Sequence, residues 1–332
     1  MKIAFFGLKE QEKQEYFLNS LIEHQVIFFD QDLNEETLPK DSSVEIISVF
    51  VQSKITARVI DAFPNLKMIA VRATGFDNID IKYAQKKNII VSNVPTYGSH
   101  TVAEFTFGLI LSLSRKIPQA LTKVKTKLKF ERGGLRGFDL YGKTLGILGT
   151  GKIGANVAKI AKGFGMIILA YDLYPSKQLA KTFEFQYVSL MQLLKESDIV
   201  TIHVPATKQT RHLINKSNIF QLKKGAFIIN TARGDVVEGE ALHQAIASGH
   251  LGGAGLDVLE AETNLQGDHK KQKPDPSIKK TVLADNLLIK DPKVIVTPHI
   301  AFYTTEAEQA IIQTTVENIQ GFIEGSSKNV VS

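Results

Sequence analysis

Residues 143–172 hold a strand, a glycine turn, a helix and a second strand in immediate succession. Lys143–Leu148 is an apolar run that reads as a buried strand. Gly149-Thr150-Gly151-Lys152-Ile153-Gly154 follows at once and fits G-x-G-x-x-G. Ala155–Lys162 then carries apolar residues at helical spacing, and Met166–Tyr171 is a second apolar run that ends at Asp172. The glycine pattern alone would mean little. Between two strands and ahead of a helix it marks a βαβ half with an acid at the end of its second strand.

Each position has a physical reason. Gly149 permits the tight turn, Gly151 lets the backbone approach a pyrophosphate, and Gly154 lets helix and strand pack closely. The helix N-terminus offers free N–H groups and partial positive charge to phosphates. Asp172 can accept hydrogen bonds from a ribose diol and would repel a 2′-phosphate. The next residues, Leu173-Tyr174-Pro175, include no Arg to reverse that preference. The expected ligand is therefore NAD rather than NADP.

A chain of 332 residues suggests two domains with adequate cores. Its 43% hydrophobic and 22% charged content excludes a disordered class. Without cysteine, no disulfide, thiol nucleophile or cysteine metal site is possible, and no metal is expected. The net charge of +6 is dispersed; its clearest cluster, Lys123, Lys125, Lys127 and Lys129, reads as a solvated face, so no nucleic-acid partner is expected. Met1–Gly7 begins directly with a strand-like run, and no apolar run approaches bilayer-spanning length. A cytoplasmic location without membrane association is the expectation.

Strand and helix signals alternate through the first hundred or so residues. Candidate strands are Lys2–Phe6, Val26–Phe29, Glu45–Phe50, Leu66–Ala73 and Ile89–Asn93, with helices near Glu10–Glu23, Thr56–Ala62 and Ile79–Lys86. This is an α/β pattern without a glycine fingerprint. An apolar helix at Thr101–Ser114 opens the central part. Strands there recur at Thr144–Leu148, Ile167–Tyr171, Ile199–His203, Ala226–Asn230, Gly253–Asp257 and Val294–Thr297. Six strands suggest a full doubly wound sheet. Ala261–Asp291, polar, lysine-rich and broken by Pro274 and Pro276, reads as a long excursion. The last helix, Thr305–Phe322, is expected back against the first domain.

Three residues after later strands could carry chemistry. Arg233, in a short turn after Ile228–Asn230, could grip a carboxylate through two parallel hydrogen bonds. Glu260 and Glu262 compete as candidate acids beyond Asp257. His299 follows a strand and Pro298, where a fixed imidazole could both donate and accept a proton. Singly, each is better explained as an ordinary surface or structural residue.

Taken in order, these landmarks resemble the D-2-hydroxyacid dehydrogenase family over nearly the whole chain. The matching pieces are Gly149–Gly154, Ser197–Pro205, Asn230–Gly234, Gly255–Val258 and Thr297–His299. Asn93–Tyr97 and His299–Thr304 resemble its D-lactate dehydrogenase branch and larger-substrate relatives. The resemblance implies two doubly wound parallel-sheet α/β domains: a Rossmann NAD-binding domain, residues 99–299, inserted into a flavodoxin-like substrate domain of residues 1–98 and 300–332. It implies Arg233 as binder of the substrate carboxylate and carbonyl, His299 as acid/base and Glu262, rather than Glu260, as its partner. It implies cofactor contacts at Gly149, Gly151, Lys152, Ile153, Gly154, Asp172, His203, Val204, Pro205, Thr231, Ala232 and Asp257, the last near the nicotinamide. Thr74, Gly75, Tyr97, Phe302 and Tyr303 would join Arg233 and His299 around the substrate.

The implied reaction is reversible reduction of a 2-keto acid by NADH, with pyruvate and D-lactate as the leading pair. Larger acids of the 2-hydroxyisocaproate type are the alternative substrates, and an NAD-sensing corepressor on the same fold is the non-enzymatic alternative. A homodimer through the 101–114 helix region is implied as well.

Overall fold

The computed structural model of the protein describes residues 1–262, 265 and 278–331. The chain divides into two compact units, Met1–Tyr97 with Thr304–Ser332, and Gly98–Tyr303.

In the first unit, β1 (Lys2–Phe6), β2 (Gln25–Phe29), β3 (Ile46–Val49), β4 (Met68–Val71) and β5 (Ile90–Ser92) form one parallel sheet of order β2-β1-β3-β4-β5. Every residue of β3 and β4 is buried, because helices cover both faces and leave no polar side for alternation. The period of two instead sorts side chains between two cores. Ile3, Phe5, Ile46 and Met68 pack with Phe17 of the helix Gln11–Ser20 and with Val316 and Ile319 of the helix Thr305–Ile323. Ala4, Phe6, Ile47 and Ile69 pack with Val59 and Ile60 of the helix Ala57–Asp61 on the other face. The C-terminal helix starts cleanly because Thr304 accepts a hydrogen bond from the Ala307 N–H and Glu306 and Glu308 lie in the first turn. Its buried Val316 and Ile319 contribute roughly 1.5–3 kcal/mol each. Asn318 fastens it further by donating to the Asn93 carbonyl at 2.8 Å.

The second unit carries a seven-stranded parallel sheet: β6 (Thr144–Leu148), β7 (Ile167–Tyr171), β8 (Gln186–Tyr187), β9 (Ile199–Ile202), β10 (Phe227–Asn230), β11 (Gly253–Leu256) and β12 (Val294–Val296). Its order is β12-β11-β10-β9-β6-β7-β8. The strand order reverses between β6 and β9, which places a ligand crevice at their carboxyl ends. The sheet has one strand more than the six read from apolar runs. β8 is only two residues long and not fully buried, so no hydrophobic run marks it.

The helix Ser99–Ser114 buries Val102, Ala103, Phe107, Leu109, Ile110 and Leu113, and joins a core with Leu145, Ile147, Ile199 and Ile229. Residues 279–290 correct the reading of Ala261–Asp291 as an excursion. They form the helix Lys279–Lys290, with Ala284, Asp285 and Leu288 buried. Lysines and a buried acid break up its apolar stripe in the sequence. The rest of that stretch, at 263–264 and 266–277, lies outside the described residues. Among the described residues no helix is long and apolar enough to cross a membrane.

Candidate functional site

The glycine turn leaves β6 and enters the helix Lys152–Gly163. Gly149 has φ +91°, a conformation that costs any residue with a Cβ. A Cβ there would also stand 2.8 Å from the His203 carbonyl oxygen. A Cβ on Gly154 would fall 2.0 Å from the Gly149 carbonyl oxygen, so the helix rests directly on the turn. At Gly151 the opposite holds: a Cβ would meet nothing within 4 Å. The turn is closed toward the sheet and open on its outer side. The helix has no side-chain cap and no acid in its first turn, so the N–H groups of Lys152, Ile153 and Gly154 and the positive end of the dipole are uncompensated. These residues fit a pyrophosphate.

Asp172 sits immediately after β7 and faces this turn. Its Oδ2 accepts the Thr150 N–H at 2.6 Å and the Thr150 hydroxyl at 2.9 Å, and its Oδ1 accepts the Tyr174 N–H at 2.8 Å. A carboxylate oxygen has about two acceptor directions. Oδ2 is therefore full, and Oδ1 keeps one direction for a hydroxyl of a ribose. Tyr187 of β8 backs the arrangement: its hydroxyl accepts the Ser176 N–H at 3.0 Å and lies 2.8 Å from Thr150 Oγ1. Thr150 donates to Asp172, so the tyrosine is the donor in that contact. Neither Thr150 nor Tyr187 belongs to the sequence-predicted set. Thr150 fills a variable position of the glycine pattern, and Tyr187 lies in the strand too short to be seen.

His203 and Val204 lie against the turn at the end of β9; a Cβ on Gly149 would approach Val204 Cγ1 at 2.9 Å. Burial holds the His203 imidazole neutral, pushing it down to about 3. Its Nε2 lies 2.9 Å from Thr201 Oγ1, while its buried Nδ1 has no partner among the described residues. Pro205 is exposed, and its carbonyl accepts the Thr210 hydroxyl at 2.6 Å. Thr231 turns inward, 3.0 Å from the Thr106 hydroxyl. Ala232, partly buried, donates its N–H to Asn230 Oδ1 at 3.0 Å.

Asp257 is hydrogen-bonded through its carboxylate into the turn that carries His299. It is 1% exposed, and its carboxylate accepts from the Thr297 hydroxyl at 2.6 Å, the Ile300 N–H at 2.9 Å and the Ala301 N–H at 2.8 Å. It thereby ties the end of β11 to the turn that carries His299. Burial pushes its carboxyl upward, and these three bonds oppose that.

His299 itself has φ +57°, a left-handed backbone that costs on the order of 1–3 kcal/mol in a residue with a Cβ. The His299 N–H bond to the Asp257 carbonyl, at 2.9 Å, and the three bonds to the Asp257 carboxylate hold it there. Its Nδ1 lies 3.0 Å from Glu262 Oε1. Glu260 points elsewhere and pairs with His212 at 2.7 Å. Arg233 follows β10, and the backbone after it abuts the same acidic segment. A Cβ on Gly234 would lie 2.1 Å from the Leu259 carbonyl. Only glycine allows the Arg233 turn to pack this tightly on residues 259–260. Asn230 Nδ2 donates to the Arg233 carbonyl at 2.8 Å, and Arg233 Nη1 donates to the Ala232 carbonyl at 2.8 Å.

Phe302 stands edge-on to His299 with ring centroids 6.5 Å apart, and Tyr303 stands edge-on to Phe302 at 5.9 Å. Thr74, Gly75 and Tyr97 belong to the first unit. Thr74 donates its hydroxyl to the Val94 carbonyl at 2.8 Å and accepts the Asn93 side-chain amide at its carbonyl at 2.7 Å, which joins the ends of β4 and β5. Tyr97, half-buried, follows β5.

Comparison with known proteins places this geometry. Residues 107–301 match the family described as "D-isomer specific 2-hydroxyacid dehydrogenase, NAD binding domain". The chain is 40% identical over 326 residues to "2-hydroxyacid dehydrogenase homolog 1" of Schizosaccharomyces pombe, with 97% of this chain and 96% of that one covered. It is 40% identical over 295 residues to hydroxypyruvate reductase of Thermotoga maritima, with 87% and 90% covered. Among solved structures, D-lactate dehydrogenase from Aquifex aeolicus, complexed with NAD and lactic acid, is similar at TM-score 0.89 and 37% identity, over 98% of this chain and 96% of that chain. An open glycine turn over a bare helix N-terminus, an acid fixed beside it and likeness along nearly the full length lead to one conclusion: the chain belongs to the NAD-dependent D-2-hydroxyacid dehydrogenases and binds NAD as an enzyme acting on a CH–OH group.

Proposed function

We propose that this chain reduces pyruvate to D-lactate reversibly, with Arg233, Glu262 and His299 as its catalytic residues. The observation that carries the reading is the 3.0 Å contact between His299 Nδ1 and Glu262 Oε1, in the unit that also holds the glycine turn. A hydrogen bond from Nδ1–H to the carboxylate fixes the ring and leaves Nε2 for the substrate oxygen.

Bound NADH supplies the hydride. Arg233 orients the 2-keto acid by a paired grip on its carboxylate and stabilises charge that develops on the carbonyl oxygen. His299, protonated, gives its Nε2 proton to that oxygen, and Glu262 stabilises the imidazolium before the transfer. In the reverse direction neutral Nε2 accepts the proton of the hydroxyl. Phe302 and Tyr303 wall the substrate side chain, and Thr74, Gly75 and Tyr97 are further substrate contacts in this reading.

The hydroxypyruvate reductase relative, 40% identical, favours a second reading within the same chemistry, a substrate with a hydroxymethyl in place of the methyl. Steady-state NADH oxidation with glyoxylate, pyruvate, hydroxypyruvate, phenylpyruvate and 2-ketoisocaproate separates the two. Highest kcat/KM with pyruvate supports the first reading, and highest with hydroxypyruvate supports the second. No turnover with any of them favours a sensor on this fold and overturns both.

A homodimer also belongs to this reading. The helix Ser99–Ser114 is largely committed to its own core, but the segment after it exposes Leu121 (52%), Leu128 (89%) and Phe130 (97%). Large apolar side chains left exposed are what a second copy of the chain would cover.

A further inference from the structure

Asp285 is a carboxylate in an expensive place. It lies on the helix Lys279–Lys290 and is 0% exposed. Among the described residues it makes one hydrogen bond, from the Ala261 N–H to Oδ2 at 2.8 Å. Its Oδ1 is buried without a partner among the described residues. Burial pushes its carboxyl up to about 6, helped by the negative charges of Glu260 and Glu262 and opposed only by the Ala261 bond. An apolar or amide side chain of the same size would avoid this cost. Packing and stability therefore do not account for the acid, and its placement does suggest a role.

Its single partner lies between two acids with partners of their own. Glu260 accepts from His212 at 2.7 Å and from the Gly239 N–H at 3.3 Å. Glu262 accepts from His299 at 3.0 Å and from the Leu259 N–H at 3.4 Å. Ala261 has no side chain that could anchor it, and Asp285 holds its backbone instead. We propose that Asp285 is a positioning residue for the reaction: by accepting the Ala261 N–H it fixes the Glu260–Glu262 segment and so sets the Glu262 carboxylate against His299.

Among the described residues, the charged groups around Asp285 are few. Glu260 and Glu262 approach from the clamped segment, with His212 and His299 beyond them. The helix Gly239–Ala247 packs against the Asp285 helix and brings Gly239 close: a Cβ there would stand 3.3 Å from Asp285 Oδ1. That helix also carries exposed Glu240 and half-buried His243. On its own helix Lys279, Lys280 and Lys290 are exposed. The neighbouring acids repel Asp285, so its tie to Ala261 bears the load.

The inference rests on the proposed function, and its test separates the two. Wild type, Asp285→Ala and Asp285→Asn are compared for kcat and KM with pyruvate from pH 5 to 8.5, for NADH affinity by fluorescence, and for amide hydrogen exchange at Ala261. Asp285→Ala is expected to lose about 10–100-fold in kcat, the scale of a small misplacement of a catalytic group, with NADH affinity within about twofold of wild type and fast exchange at Ala261. Asp285→Asn keeps an acceptor for the Ala261 N–H. It is expected to regain at least about tenfold of that loss and to keep Ala261 protected.

Wild-type kcat in Asp285→Ala overturns the inference. So does an equal loss in both variants, a fall in NADH affinity that matches the fall in kcat, or failure of both to fold, since the acid would then serve the fold alone. Absence of turnover in the wild type overturns the proposed function instead, while Ala261 exchange still reads the clamp.

Discussion

Asp172 Oδ2 receives both the backbone N–H and the hydroxyl of Thr150, at 2.6 and 2.9 Å. The acid at the end of β7 thus does two jobs, shaping the glycine turn and keeping an acceptor free on Oδ1. Hydrogen bonds to a charged acceptor are worth about 1.5–3 kcal/mol each. Asp172→Ala is expected to weaken NADH binding by at least about tenfold and to narrow the preference for NADH over NADPH. Fluorescence titration with both cofactors reads the two effects, and an unchanged ratio of affinities removes Asp172 from the ribose site.

Arg233→Ala should lower kcat about 100-fold or more, because a charge that stabilises the developing oxyanion is lost. Arg233→Lys should restore only part of this, since an ammonium cannot offer two parallel donors. Circular dichroism controls for folding. A folded Arg233→Ala variant with near-wild-type turnover rules the assignment out.

His299→Gln should lower kcat by about 100-fold to 10,000-fold, the usual worth of a positioned acid/base. Glu262→Gln keeps a hydrogen-bond acceptor but loses the charge, so its loss should be smaller than that of His299→Gln. Pre-steady-state NADH oxidation with pyruvate checks the order, and the reverse ranking breaks the proposed pair.

Asp285 predicts an unusual stability profile. Its folded carboxyl stands at about 6, above the ordinary Asp value of 3.8. The folded state therefore binds this proton more tightly than the unfolded state. The stability linked to it is fully present below about pH 4 and is lost as pH rises through about 6. Asp285→Asn, neutral throughout, should be more stable than wild type at pH 8 by on the order of 2–3 kcal/mol, with the gap closing toward pH 4. Urea unfolding at a series of pH values measures it, and a gap that does not change with pH contradicts the burial argument.

Leu121→Asp with Phe130→Asp should shift the protein from dimer to monomer in sedimentation velocity, because both side chains are exposed. A double variant that remains dimeric at micromolar concentration moves the interface elsewhere.

The readable parts of this chain are those where one residue type does one geometric thing. Gly149 and Gly154 are visible because no side chain fits where they sit, and apolar runs mark β6 and β7 because a parallel sheet covered on both faces buries most of their residues. The unreadable parts depend on contacts between distant residues. Tyr187 supports Thr150 from a two-residue strand with no pattern of its own. Asp285 looks like one more polar residue in a lysine-rich stretch, and only the Ala261 contact reveals its use. Glu260 and Glu262 are alike as letters; the contacts to His212 and His299 tell them apart.

Ile3 and Phe5 share a core with Val316 and Ile319, near the opposite end of the chain. As the chain is synthesised, one face of the first sheet is covered only by the helix Gln11–Ser20 until the helix Thr305–Ile323 emerges. The stretch from Gly98 to Tyr303 is continuous and can finish folding before then. Ile3 and Phe5 are thus made long before Val316 and Ile319 secure them, and loss of the helix Thr305–Ile323 would expose them.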